Sequence, residues 1–320
     1  MQIHSAALLG AGAVGSYIIW GLADNSRVRF GLMADGARRE RLQAEGITIN
    51  GRNYHPAVWG PDDMQPVDLI IVALKYNALP GSLDLLEKAV GPDTIVMSLM
   101  NGVDSEEIIG KQIGMQHMLY SLIKIASHKE ADGFHFDPAP EKTVGIIFGE
   151  GQAPYDSERV SAVMDLFAGT GIRIRATEYA REEEWSKFRL NICNNLPQAE
   201  LGVGVGCYRD SIHMEAIREG LRREVEAIAQ AKGIDLKKVA ATAKGSAVPP
   251  YSRYSTLQDL DAGRHTEIDM FSGAIMRMGE ELGIPTPFNT YTYHFIKALE
   301  EKNDGVFDYS PDDQTLVKAW

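Results

Sequence analysis

The stretch from Glu184 to Pro197, EWSKFRLNICNNLP, holds the densest set of residues able to do chemistry. In a helix that advances about 100° per residue, Trp185, Phe188, Ile192 and Leu196 share one side, while Lys187, Asn191 and Asn195 share another. Three asparagines in one helix are unusual, because Asn is a poor helix former and Glu, Lys or Gln serves a solvated face better. The stripe is therefore expected to face a polar cleft between domains; a hydrogen-bond ladder between helices is the alternative. A lysine in such a place can protonate a developing alkoxide, more readily if desolvation lowers its pKa. Asparagine amides can hold a carbonyl, a hydroxyl or a carboxylate.

A second constellation is Tyr254-Ser255-Thr256-Leu257-Gln258-Asp259, followed by Arg264-His265-Thr266-Glu267-Ile268-Asp269. Ser255 with Gln258 forms a capping-box pattern, and a cap can also offer its hydroxyl to a carboxylate. A single helix is expected over 255–283, which sets Glu267 about three turns beyond Ser255. By residue type alone, Glu267 reads as a surface carboxylate and His265 as a structural or surface residue. His117, His128, His135 and His294 have no partners at metal-ligand spacing, so no metal is expected.

Near the N-terminus, Gly10-Ala11-Gly12-Ala13-Val14-Gly15 fits G-x-G-x-x-G between an apolar strand and a helix. The first glycine suits a tight turn, the second a close approach of backbone to pyrophosphate, and the third close packing of helix on strand. A dinucleotide is the expected cofactor. Asp35, at the end of the next strand, suits a ribose 2′-OH and hence NAD(H). Arg38 and Arg39 follow within a turn and suit a 2′-phosphate and hence NADP(H), or simply a solvated helix face. The residues leave that choice open.

These groups need a scaffold, and the first half of the chain supplies one. Strands are expected at Ser5–Gly10, Arg27–Ala34, Val67–Leu74 and Thr94–Met100, alternating with helices at Val14–Ala23, Arg38–Glu45 and Ser82–Ala89. That alternation implies βαβ units and a doubly wound sheet. Strands at His117–Ile125, Thr143–Phe148 and Gly171–Arg175, with a helix at Glu158–Ala168, extend the sheet with some antiparallel character. The remainder reads as helical, at 181–200, 212–232, 235–244, 255–283 and 288–303. The fold class is thus α/β: an N-terminal Rossmann domain over 1–178 and a helical domain over 179–320.

Composition narrows the function. The 320 residues carry a net charge of −12, which argues against a nucleic-acid partner. No run reaches membrane-spanning length. The two cysteines, Cys193 and Cys207, follow no disulfide or metal pattern, and the N-terminus has no signal-peptide character. A cytoplasmic location is expected. Apolar stretches in the C-terminal helices suit either a homodimer face or a core.

Taken in order, Gly10–Gly15, Lys75 after VDLIIVAL, Asn101-Gly102-Val103, W-x-K-x-x-x-N-x-x-x-N and S-T-L-Q-D with T-E-I-D resemble the ketopantoate reductase family (2-dehydropantoate 2-reductase) over residues 5–300. The resemblance implies a Rossmann domain joined to a helical domain of the 6-phosphogluconate dehydrogenase C-terminal type. It also implies NADPH-dependent reduction of 2-dehydropantoate to (R)-pantoate, on the route to pantothenate and coenzyme A. By that resemblance Lys187 is the general acid, and Glu267 positions the substrate hydroxyl and the lysine. Asn191, Asn195, Ser255 and Asn101 contact the small anionic 2-oxo acid. Gly10, Gly12, Ala13, Val14, Gly15, Asp35, Arg38, Lys75 and Asn101 lie on the cofactor side. Two departures stand out: Asp35 replaces a frequent arginine, and Ser252 replaces a frequent substrate asparagine. They keep two alternatives open, another branched 2-oxo or 2-hydroxy acid on the same scaffold and a non-catalytic dinucleotide sensor.

Overall fold

The apolar runs SAALL, LIIV and IVMS form strands with almost every side chain buried, as expected where helices cover both faces of a parallel sheet. A computed structural model describes residues 1–139, 143–240, 248–310, 312 and 317. The chain divides into two units, Met1–Lys187 with Ile234–Ala243, and Phe188–Gly233 with Lys244–Trp320.

In the first unit the strands are β1 (Ser5–Leu9), β2 (Arg29–Met33), β3 (Ile47–Ile49), β4 (Arg52–Tyr54), β5 (Ala57–Trp59), β6 (Leu69–Val72), β7 (Ile95–Ser98), β8 (Met118–Lys124), β9 (Ser127–Glu130), β10 (Gly133–Phe136), β11 (Gly145–Gly149) and β12 (Ile174–Ala176). The main sheet runs β12-β11-β8-β7-β6-β1-β2-β5. Its portion from β5 to β8 is parallel and has the doubly wound order of a Rossmann sheet. The β8–β11 pair is antiparallel, which is the expected change of character. Helices α1 (Ala13–Leu22), α2 (Gly36–Glu45), α3 (Leu83–Glu87), α4 (Ser105–Ile113), α5 (Glu158–Phe167) and α6 (Ala180–Leu190) complete this part of the unit. Alternate residues of β1 serve opposite faces. Ala6 and Leu8 join a core with Tyr17, Ile18 and Leu22 of α1, whereas Ala7 and Leu9 join one with Leu86 of α3 and Ile109 of α4.

Several elements depart from the sequence reading. The small sheet β4-β3-β10-β9 is built from strands of three or four residues, too short to give a periodic signal, although Ile47, Ile49, Tyr54 and Phe136 are buried. Helix α4 was likewise not expected. The helix expected over 181–200 is interrupted: α6 passes into a π-helical segment, Asn191–Asn195, before α7 (Leu196–Leu201). Pro197 lacks the N–H that an α-helix needs at that point, and a local widening of the helix accommodates it.

The second unit continues with α8 (Cys207–Asp210) and α9 (Ile212–Ala231). Helix α10 (Lys237–Ala240) belongs to the first unit; the rest of the helix expected at 235–244 lies outside the described residues. The helix expected over 255–283 is two helices, α11 (Ser255–Asp261) and α12 (Ser272–Leu282), followed by α13 (Pro287–Asn303). Gly263, at φ +62, lies in the break. Among the described residues no helix is long and apolar enough to cross a membrane.

Gly10 packs closely against the chain leaving β6. Its φ is +112, and a Cβ there would lie 2.4 Å from the carbonyl oxygen of Ala73. Gly10→Ala is expected to destabilise the protein by at least about 1–3 kcal/mol from backbone strain alone. Urea unfolding of the purified variant measures this; an unchanged midpoint would contradict it.

Candidate active site

The glycine loop sits at the C-terminal ends of β1 and β6, where the strand order reverses and doubly wound folds bind ligands. Close packing fixes its two ends. At Gly15 a Cβ would stand 2.0 Å from the Gly10 carbonyl oxygen. Gly12 is different, since a Cβ there would meet nothing within 4 Å. Gly12 is also the N-cap of α1 and makes no side-chain cap. The loop therefore presents bare backbone and helix-start N–H groups to open space, which suits a pyrophosphate. The Ala13 carbonyl accepts from Ser16 Oγ at 2.8 Å and Ser127 Oγ at 2.7 Å, which holds the loop from both sides. Val14 packs against the core on the α1 side of the sheet. Lys75 lies exposed just beyond β6.

The arginine pair separates into two roles. Arg39 reaches both carboxylate oxygens of Asp63, at 3.0 and 2.9 Å. Arg38 turns the other way and donates through Nη2 to the Ala11 carbonyl at 3.3 Å, which places its guanidinium against the glycine loop. Burial, then the charge of Arg41, lowers the pKa of Arg38. Asp35 is the exposed N-cap of α2 and makes no side-chain cap. Both an acidic and a cationic group thus flank the place expected for an adenosine ribose.

Lys187 is half-buried on α6. Its Nζ donates to Asn101 Oδ1 and to the Ile123 carbonyl, each at 2.8 Å. Asn101 stands on the loop after β7, and Ile123 is in β8. An ammonium held by two neutral oxygens at strand ends is oriented as a proton donor.

In the second unit, Asn195 is buried and donates through Nδ2 to Ser255 Oγ at 3.4 Å. Ser255 itself is exposed at the start of α11. Its expected capping bond is not formed; Gln258 Nε2 donates instead to the Arg253 carbonyl at 2.6 Å. Asn191 and Asn195 lie in the π-helical segment, whose carbonyl at Asn194 is taken up by Tyr208 Oη at 2.7 Å and Gln198 Nε2 at 2.9 Å. Glu267 is half-buried in the turn before α12, not on a helix continuous with Ser255. Its neighbour Thr266 anchors that turn: the backbone N–H and the hydroxyl both donate to buried Glu300, each at 2.7 Å. Glu300, Lys297 and Asp269 form a supporting network that sequence reasoning missed, since Asp269 lies 28 positions before Lys297.

Histidine partners also need correction. His128 and His135 face one another across β9 and β10, with rings stacked at 5.9 Å. They bond to Glu130 at 2.9 Å and Asp132 at 2.8 Å. Ligand atoms of Glu130, Asp132 and His135 lie within 4.8 Å of one another. These contacts are hydrogen bonds near the surface. Buried His117 bonds through Nδ1 to the Thr94 carbonyl at 2.8 Å.

Two family models match the chain: ketopantoate reductase PanE/ApbA over residues 6–142 and ketopantoate reductase PanE/ApbA C terminal over residues 180–300. A 2-dehydropantoate 2-reductase from Mesorhizobium japonicum is 26% identical, covering 88% of this chain and 93% of that protein. Solved structures agree in fold. A PanE/ApbA family ketopantoate reductase from Ralstonia eutropha has TM-score 0.74 at 22% identity, covering 94% of this chain and 99% of that one. A D-mandelate dehydrogenase with NADH and anilino(oxo)acetate has TM-score 0.75 at 20% identity, with the same coverage. A ketopantoate reductase from Staphylococcus aureus, described as dimeric, has TM-score 0.71 at 19% identity, covering 93% and 99%.

The Thr266 anchor can be tested. Thr266→Val keeps the shape but removes the hydroxyl from Glu300, and is expected to cost about 1–3 kcal/mol. Chemical denaturation gives the value, and stability equal to the parent would show that the anchor is unimportant.

Proposed function

Because the chain belongs to the ketopantoate reductase PanE/ApbA family, NAD(P)-dependent oxidoreductases of a keto/CH–OH couple, we propose that it reduces 2-dehydropantoate to (R)-pantoate with NADPH. The observation that carries this reading is the Lys187 ammonium, held by Asn101 and Ile123 in the same unit as the glycine loop.

The bare backbone at Gly12, the start of α1, Lys75 and Arg38 fit a phosphorylated dinucleotide, which when bound supplies the hydride. Lys187 donates a proton to the oxygen of the C2 carbonyl as it becomes an alkoxide. Asn101 keeps the lysine Nζ in position. Ser255 and Asn195 bind the substrate carboxylate, and Asn191 its polar groups. Glu267 orients the substrate hydroxyl and the lysine. The gain comes from aligned reacting groups, so errors of position are costly.

A second reading, reduction of a different branched 2-oxo acid with NADH, draws on Asp35 and Ser252. Asp35 spends no bond on capping α2 and is available to a ribose hydroxyl. Ser252 sits in a tight turn, its N–H donating to the Pro249 carbonyl at 2.9 Å and its own carbonyl accepting from Val205 at 3.0 Å. A dinucleotide sensor without chemistry needs no proton donor at Lys187.

Steady-state kinetics on 2-dehydropantoate and a panel of other 2-oxo acids, with NADPH and NADH, decides among these. Turnover of 2-dehydropantoate with NADPH is expected to dominate. Lys187→Ala is expected to lower kcat by about 10²–10⁴ in a folded protein; near-parental kcat would remove the mechanism. Arg38→Ala is expected to raise KM for NADPH about tenfold or more while leaving KM for NADH nearly unchanged, the loss of one charge-assisted phosphate contact. Equal effects on both cofactors would show that Arg38 does not read the 2′-phosphate.

A further inference from the structure

The π-helical segment that carries Asn191 and Asn195 is held by a tyrosine to which the proposed reaction gives no part. In an α-helix the N–H of Gln198 and the carbonyl of Asn194 are each other's partners. The Tyr208 hydroxyl bonds both. It donates to the Asn194 carbonyl at 2.7 Å and accepts from the Gln198 N–H at 3.1 Å. A hydroxyl can do this because it carries a donor and acceptor lone pairs together. A side chain that enters the hydrogen-bond ladder is one of the few causes of local distortion in a helix. Pro197 is another, since it has no N–H to offer the Cys193 carbonyl. The two act at successive positions, and the segment just before them, Asn191–Asn195, is π-helical.

The bonded groups lie away from water. Gln198 is fully buried. Its Nε2 also donates to the Asn194 carbonyl, at 2.9 Å, while its Oε1 has no hydrogen-bond partner among the described residues. A buried N–H that loses its acceptor is costly, so without the hydroxyl the segment gains by rearranging around the Gln198 N–H. Tyr208 itself is held from outside the segment. It sits on α8, and the guanidinium of Arg218 on α9 lies 5.1 Å from its ring centre, fixed there by Glu215 at 2.6 Å. The chain leading into α8 is tied to the turn that holds Ser252. The Val205 N–H donates to the Ser252 carbonyl at 3.0 Å, and the Gly206 N–H to the Pro250 carbonyl at 2.9 Å. Glycine permits this approach: a Cβ at Gly204 would lie 2.4 Å from the Pro250 carbonyl oxygen, and one at Gly206 would lie 2.8 Å from Pro250 Cβ.

Residues 204–208 therefore form a strap. One end is bonded to the Asn194 carbonyl, next to Asn195, and the other to the turn at Pro250 and Ser252, just before Ser255. Asn195 and Ser255 are the pair that meets at 3.4 Å between these two anchor points. We propose that Tyr208 is a positioning residue for substrate binding: its hydroxyl holds the π-helical segment in the form that presents Asn195 to Ser255, and the strap it ends sets the distance from that segment to the Ser255 turn. The proposal rests on the reading of Asn195 and Ser255 as ligands of the substrate carboxylate. Tyr208 acts through the backbone of Asn194 and Gln198, which is why its residue type alone carried no signal of the role.

Tyr208→Phe keeps the ring and its contact with Arg218 and removes only the hydroxyl. In folded protein, KM for 2-dehydropantoate is expected to rise about tenfold or more, with a smaller change in kcat, while KM for NADPH stays within about twofold. Gly206→Ala is a second probe, because the φ of −58 at Gly206 suits alanine and only the packing on Pro250 is disturbed. It leaves the hydroxyl in place, shifts the strap, and should raise the same KM and spare the other. An unchanged KM for the 2-oxo acid in folded Tyr208→Phe would overturn the proposal, as would equal rises for both substrates, which a general loosening of the fold would give. A crystal structure of Tyr208→Phe without ligands separates this idea from the reductase reading. It should show Asn195 Nδ2 moved beyond hydrogen-bond reach of Ser255 Oγ. If the two stay in contact, the positioning role fails whatever the activity. If they part but the parent reduces no 2-dehydropantoate, the reductase reading fails and, with no substrate of that kind to position, so does the role given to Tyr208.

Discussion

Strand β8 outruns its neighbour. It pairs with β7 only from Met118 to Leu119, yet it continues to Lys124. The backbone groups on that edge lose their ladder partners where the sheet is buried, and unpaired buried N–H and C=O groups are costly. Helix α6 satisfies one of them with a side chain: Lys187 donates to the Ile123 carbonyl at 2.8 Å. The need to cover a strand edge thus fixes the lysine assigned to proton donation, and Asn101 then accepts its second bond. Stability and chemistry share these contacts, so changes at Lys187 must be judged on folded protein.

The second constraint is electrostatic. A chain of charge −12 has to attract anions, and only local groups can reverse an unfavourable overall field. The glycine loop does so with backbone dipoles, which need no counter-ion. Arg38 adds charge beside it, while Arg39 is committed to Asp63. Neighbouring arginines of equal composition therefore contribute differently, and only contacts across the fold distinguish them.

Much of this was legible in the residues. The G-x-G-x-x-G loop and the alternating strands are local patterns, and local patterns survive folding. The expected continuity of two helices failed for local reasons as well. Pro197 shifts the segment with Asn191 and Asn195 into a wider helix, and the break at Gly263 leaves Glu267 on a turn anchored by Thr266 and Glu300. Proline and glycine were visible in the sequence; that a single break would decide how Glu267 is held was not. The His128–His135 pair was invisible because its strands are only four residues long, too short for a periodic pattern.

The glutamates that open the polar stripe show the limit most clearly. Glu182-Glu183-Glu184 reads as a solvated acidic run, yet all three are buried, at 9%, 3% and 4% exposure. Burial of an acid requires a cation or a proton. Glu182 has Lys238 at 3.3 Å, and Glu183 has Lys124 at 3.3 Å together with Arg175. For Glu184, burial and then the charge of Glu106 raise the pKa instead. Identical neighbours in sequence thus have different surroundings, set largely by residues far along the chain, although Arg175 stands only 8 positions from Glu183. That is why residue type alone revealed the lysine but not the groups that hold it.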